Sequence, residues 1–382
     1  MRSETSSSSG GGSGSGSPKS ARSATPAARS TASPETASCP PWGFSAKSSR
    51  EARSASEIPL SRGKVLRISL TDRCDLRCLY CMPESGVELV RPADLLTYEE
   101  VESVARAALV LGFRKFRLTG GEPLVRRGVV SLVEKLSRLG PDDLALTTNG
   151  LHLAEFAAPL KAAGLRRVTV SLDTLRPERF EKISRRTGFE RIFAGMEAAR
   201  RVGLLPLKIN MVVIRGLNDD EIPDFVRFAA GEKVEVRFIE LMPTSGLSPE
   251  CKELGSWRPA LCVKADEIRA RVTEAAGPLA PVPESDGVAR VWRLADGTRL
   301  GFIAPISDPF CRGCERLRLG PDGRLKLCLF DRGGVDLRKA LREDKAGPAD
   351  IESVLRGTLE RKTTWERGDL ETLSSEMFKT GG

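Results

Sequence analysis

Three cysteines, Cys74, Cys78 and Cys81, fall within the run TDRCDLRCLYCMP. At this spacing each thiolate can ligate one iron of a cubane [4Fe–4S] cluster, and because a closed cluster takes four cysteines, three leave one iron open. Zinc competes for such thiolates. Structural zinc wants four protein ligands, C-x₃-C-x₂-C is not its usual spacing, and the fourth would have to be the chain's only histidine, His152. Catalytic zinc with three ligands stays compatible with the count. A second set, Cys311, Cys314 and Cys328, forms C-x₂-C-x₁₃-C. Alone it suits a zinc ribbon, with Cys251 or Cys262 as fourth ligand; beside an iron–sulfur motif upstream, a second [4Fe–4S] cluster with an open iron is the better reading.

Basic residues accompany both sets. Arg67, Arg117 and Lys208 lie in strand-like runs, and Arg316 and Arg318 are two apart, hence on one face of a strand. Cations converging on a cavity fit a polyphosphate, for which Arg supplies bidentate forks and Lys a point charge. The plainer alternative is a solvated basic surface, because the chain carries 60 Lys and Arg against 51 Asp and Glu.

Elements must hold these residues. Strand-like runs occur at VLRISL (65–70), KFRL (115–118), LALTT (144–148), RVTVSL (167–172), LKINMVVI (207–214) and VEVRFIEL (234–241). Helical periodicity fills the intervals, as in YEEVESVARAALVLG, LAEFAAPLKAAG, FERIFAGMEAARRVG and DDEIPDFVRFAAG. Such alternation predicts a parallel sheet closed or partly closed into a barrel, with chemistry at the C-terminal strand ends. TDRC, TGGEP, TTNG, SLDT and ELMP fall there, although βα loops favour Gly, Asn, Asp and Thr for turn reasons alone.

At 382 residues the chain suits one large α/β domain with an appendage. Residues 1–57 are rich in Ser, Gly and Arg and hold no Leu, Ile or Val, which predicts a disordered tail. No apolar run approaches the ~18 residues of a membrane span, and no signal-peptide pattern appears. The expectation is a cytoplasmic protein, or a mitochondrial matrix one if the Arg- and Ser-rich tail is a transit peptide.

C-x₃-C-x-Y-C, as Cys74, Cys78, Tyr80 and Cys81, followed by GGEP at Gly120 to Pro123, resembles the radical S-adenosylmethionine superfamily. Through LRISLTDRC, RLTGGEPLVRR, LTTNG, VSLD, KINMVV, RFIELM, C-x₂-C-x-R-x-R and a terminal Gly-Gly, residues 62–382 resemble the GTP 3′,8-cyclase family. The resemblance implies an α/β fold, a partial (β/α)₆ TIM-like barrel over 58–245, with an α+β cluster-binding extension over 246–382. It implies two [4Fe–4S] clusters, S-adenosylmethionine as cofactor, and GTP as substrate, converted in the first step of molybdenum cofactor biosynthesis. Carried over residue by residue, Tyr80, Gly121, Ser171 and Met242 line the S-adenosylmethionine pocket, where the glycines let backbone approach the methionine amino group. Arg67, Arg117, Thr147, Lys208, Arg316 and Arg318 meet GTP, and Gly381 and Gly382 form a catalytic tail. The implied partners are an electron donor and a second copy in a homodimer, with no nucleic acid and no membrane. Two rival readings are another radical enzyme with an auxiliary cluster, such as a peptide maturase, and a zinc-containing RNA-binding protein. Aromatics at 5% leave the latter short of a stacking face.

Overall fold

A computed structural model of the chain describes residues 63–244, 247, 251–283, 287–311, 314–365 and 376–380. The expectation of a disordered tail over 1–57 lies outside these residues, as do Gly381 and Gly382.

Six parallel strands run in chain order across the middle of one sheet: β1 (Lys64–Ser69), β2 (Phe113–Thr119), β3 (Asp143–Thr148), β4 (Arg167–Ser171), β5 (Lys208–Val213) and β6 (Glu235–Glu240). All six predicted strands form. The crossovers carry α1 (Tyr98–Val110), α2 (Val129–Arg138), α3 (Leu153–Ala162), α4 (Pro177–Ser184), α5 (Phe189–Arg201) and α6 (Ile222–Glu232). Local chemistry sets their limits. Thr97 and Glu100 form a capping box at the start of α1, and Gly112 follows its end at φ 83°.

Strand residues alternate between two environments. Leu66 and Ile68, Phe116 and Leu118, Val168 and Val170, and Ile209 and Met211 are buried on the outer, helix-covered face. That layer is the hydrophobic core. The intervening positions face inward and are largely polar: Arg67 beside Arg117, Thr147 beside Thr169, Ser171 beside Asn210, Asn210 beside Arg237.

The C-terminal part contributes α7 (Ala265–Ala276), β7 (Ala280–Pro281), β8 (Arg290–Arg293), β9 (Arg299–Ile303), β10 (Arg316–Leu319), β11 (Arg324–Lys326), β12 (Val335–Asp336), α8 (Leu337–Arg342), α9 (Pro348–Thr364) and α10 (Met377–Thr380). It does not simply append itself. β10 pairs parallel with β1 and β9 parallel with β6, so both edges of the six-strand arc are covered by later strands. The full order is β12-β11-β10-β1-β2-β3-β4-β5-β6-β9-β8-β7, an open arc among the described residues. An unpaired strand edge exposes a row of N–H and C=O groups, which these additions satisfy. Among the described residues no helix is long and apolar enough to cross a membrane.

Candidate active site

The first cysteine run follows β1 and folds between the loop after β2 and the C-terminal end of α4. Gly121 N–H donates to Thr71 O at 2.6 Å and Glu122 N–H to Arg73 O at 2.8 Å. A Cβ at Gly120 would lie 2.6 Å from Thr71 O, and one at Gly121 2.3 Å from Arg73 O. The glycines thus let two backbones touch, a demand made by the cysteine loop itself before any ligand arrives. On the other side Arg77 and Leu79 N–H donate to Ser184 and Ile183 carbonyls, and the Cys78–Cys81 turn closes with Cys81 N–H on Cys78 O at 2.9 Å.

This packing turns Cys74, Cys78 and Cys81 toward one cavity, which Tyr80, Gly121, Ser171 and Met242 also line. Among the described residues no three His, Cys, Asp or Glu side chains are placed to hold a single metal ion; these thiols face a shared space instead. Burial pushes all three thiols up, Cys81 to about 12 with Asp173 adding to the effect. Such thiols ionise when a metal's positive charge reaches them, and Leu76 N–H already donates to Cys74 Sγ at 3.4 Å. Three soft donors around a cavity fit an iron–sulfur cluster with one open iron. His152 does not join them: its Nε2 is 3.0 Å from Asp75 Oδ2.

Buried carboxylates brace the walls. Glu122 accepts from Thr148 Oγ1 (2.8 Å), Leu124 N–H (3.0 Å) and Asn149 N–H (2.7 Å), tying the loop after β2 to the loop after β3. Burial raises it to about 7 against the pull of these donors. Asp173 accepts from the Tyr80 hydroxyl at 2.7 Å and Val212 N–H at 2.8 Å, and burial raises it to about 6.

A second cavity adjoins the first, and Thr147, Asn210, Ile239 and Met242 line both. Cys311, Cys314 and Cys328 line it with Arg67, Arg117, Arg316 and Arg318. Cys251 and Cys262, candidates for a fourth ligand there, are buried elsewhere: Cys251 packs near Leu79 and Tyr80, and Cys262 bridges to Ile214. The arginines crowd one another. Burial lowers Arg67 well below its ordinary value, with Arg318, Arg316 and Arg117 adding to the effect; Arg316 falls to about 10, again chiefly by burial. Asp143 offsets part of this charge through Arg117 and Arg167, each at 2.6 Å. Because guanidinium does not give up its proton in proteins, a cavity lined in this way is suited to an anion.

Lys208 is placed apart from this group. It is 3% exposed on the inner face at the start of β5, its Nζ 3.3 Å from Glu235 Oε1, and it lines neither cavity. The residues before the terminal glycines reach the interior: Phe378 is buried, Met377 lines the first cavity, and Arg318 Nη1 donates to Thr380 O at 3.2 Å.

Family models match in two blocks, the Radical SAM superfamily over residues 68–229 and Molybdenum Cofactor Synthesis C over 234–366. The GTP 3′,8-cyclase of Peptoclostridium acidaminophilum is 43% identical over 324 residues, covering 83% of this chain and 95% of that protein. The chain belongs to the GTP 3′,8-cyclase family. The enzyme of that name from Pelotomaculum thermopropionicum is 45% identical, covering 76% of this chain and 88% of the other, and that of Pseudomonas putida 43%, covering 83% and 95%. Membership makes the chain a radical S-adenosylmethionine enzyme.

Several residues of this site are not singled out by residue type or spacing alone. Glu122, Asn149 and Asp173 stand inside GGEP, TTNG and SLDT, motifs marked only as strand ends. Arg167, Asn210 and Arg237 line the second cavity, and the period of two along β4, β5 and β6 was the available signal.

Proposed function

We propose that the two cavities form one active site converting GTP to (8S)-3′,8-cyclo-7,8-dihydroguanosine 5′-triphosphate, the first step of molybdenum cofactor biosynthesis. One observation carries the reading: a crowd of buried guanidinium groups lies beside a second cysteine set, in a cavity sharing Thr147 and Met242 with the first set's cavity.

Cys74, Cys78 and Cys81 hold one [4Fe–4S] cluster, and Cys311, Cys314 and Cys328 the other. With S-adenosylmethionine bound, an electron from the donor would supply 5′-deoxyadenosyl radical chemistry for joining the ribose 3′ carbon to C8 of guanine, and a second electron and a proton would be needed to complete the 7,8-dihydro product. The chain's own share is positioning and exclusion of water. Tyr80, Gly121, Ser171 and Met242 hold S-adenosylmethionine, the Tyr80 hydroxyl being oriented by Asp173. Arg67, Arg117, Arg316 and Arg318 bind the triphosphate. Thr147 meets the nucleotide at the boundary, where Ile239 and Met242 supply apolar cover. Lys208 contributes to GTP binding through the field of the barrel interior, with Glu235 as its direct neighbour. Gly381 and Gly382 complete the site as a tail; the Arg318 bond to Thr380 O, one residue before them, supports this. An electron donor, assembly as a homodimer, a cytoplasmic location and no dealings with nucleic acid or membrane complete the proposal.

The test is anaerobic incubation with S-adenosylmethionine, dithionite and GTP. The expected result is 5′-deoxyadenosine formed together with the cyclised nucleotide. Cleavage stimulated by peptides and never by GTP would overturn the reading, and so would stoichiometric zinc without acid-labile sulfide.

A further inference from the structure

Glu240, the last residue of β6, lines neither cavity. Its side chain is fully buried, at 0% exposure, and accepts four hydrogen bonds. Ala265 N–H (2.8 Å) and the Ser307 hydroxyl donate to Oε1; Ile306 N–H (2.8 Å) and Ser307 N–H (2.9 Å) donate to Oε2. Three of the four donors are main-chain groups. A buried carboxylate tolerated in this way fixes backbone rather than side chains.

What it fixes is specific. Ala265 is the first residue of α7, which has no side-chain cap of its own, so Glu240 caps that helix from a distant strand. Ile306 and Ser307 lie on the run from β9 to Cys311, whose Pro305, Pro309, Phe310 and Cys311 line the second cavity. Further along the same run Asp308 N–H donates to Ala304 O at 3.2 Å, and Asp308 pairs with Arg290. On its other side, Glu240 precedes Met242, which lines both cavities. One carboxylate therefore joins the strand end beside the first cavity to the segment that delivers Cys311.

We propose that Glu240 is a positioning residue that sets the run leading to Cys311 against the end of β6, and with it the separation of the two cysteine sets. The inference rests on the reading that Cys311, Cys314 and Cys328 hold a cluster beside the substrate.

Glu240→Gln keeps the size of the side chain but turns an amide NH₂ toward backbone N–H donors. Ser307→Ala removes one hydroxyl donor and leaves the backbone bonds. Both variants, reconstituted as holoenzymes, are to be compared with wild type by pulsed electron paramagnetic resonance for the distance between the two reduced clusters, by uncoupled S-adenosylmethionine cleavage, and by GTP turnover. Glu240→Gln is expected to keep the first cluster's signal and its cleavage rate within about twofold. Its inter-cluster distance distribution should broaden, with GTP turnover falling by about ten- to a hundredfold. Ser307→Ala should move both readouts the same way by less. Wild-type distance and turnover in Glu240→Gln would overturn the proposal, and so would equal loss of both cluster signals and of cleavage, which would make Glu240 a general support of the fold. If Glu240→Gln does not fold, Ser307→Ala decides, and an unchanged distance there overturns the proposal. A wild-type enzyme with a single cluster would overturn the functional reading itself, a result separable from any behaviour of the variants.

Discussion

The two cysteine sets separate by substitution. Cys74→Ala should abolish S-adenosylmethionine cleavage, whereas Cys314→Ala should spare slow, uncoupled cleavage and lose GTP turnover; equal loss of both activities would mean the second set is structural. Glu122 supports a prediction in pH. Its folded value of about 7 stands above the ordinary 4.5, so its contribution to stability is full below about pH 4.5 and is lost as pH rises through about 7. The stability of the metal-free wild type relative to Glu122→Gln should therefore fall across that interval, as read by thermal unfolding at several pH values. A flat difference would contradict the raised value. At this scale the thiols and most of the arginines were legible from residue type and spacing, since cluster ligation restricts both. The neighbour of Lys208 was not: β5 announces its inward face, but not that Glu235 on the next strand pairs with it.

Elements position the site through contacts that a single loop cannot disclose. GGEP reads as a ligand loop, yet its glycines are first required by the carbonyls of Thr71 and Arg73 on the preceding βα loop. Gly121→Ala should destabilise the metal-free protein by about 1–3 kcal/mol, because the blocking atoms are backbone and cannot rotate away. Iron uptake should fall with it; a variant that unfolds like wild type and takes up full iron would show that the loops can part at little cost. The six central strands were readable because runs of four or more residues rich in β-branched and apolar types stand between helical periodicities. Partners for the outermost strands were not. RLRL and RLGFI look like any short strand, and the choice of β1 and β6 as neighbours is made by the three-dimensional arc.

Across the whole molecule, charge is organised by depth. The barrel interior gathers Arg67, Arg117, Arg316 and Arg318, with Asp143 and Glu235 as nearby carboxylates, whereas most other ion pairs are peripheral. Affinity should fall in the order GTP, GDP, GMP as each phosphate is removed, and the loss should persist at raised ionic strength because buried charges are screened less than exposed ones. Equilibrium binding at two salt concentrations checks this. Equal affinity for GTP and GMP would mean that these arginines hold the fold rather than the nucleotide.

The covering of β1 by β10 and of β6 by β9 has a consequence for biosynthesis. While the polypeptide is leaving the ribosome, the first six strands can assemble with both flanks open until β9 and β10 have been made, whose residues lie 64 and 251 positions beyond their partners in β6 and β1. Pairings so distant in sequence form slowly, and open flanks invite association with other nascent chains. A fragment ending near residue 245 should accordingly aggregate when synthesised alone and be rescued by co-synthesis of the remainder, so that the segment carrying the second cysteine set also acts as an intramolecular chaperone for the first.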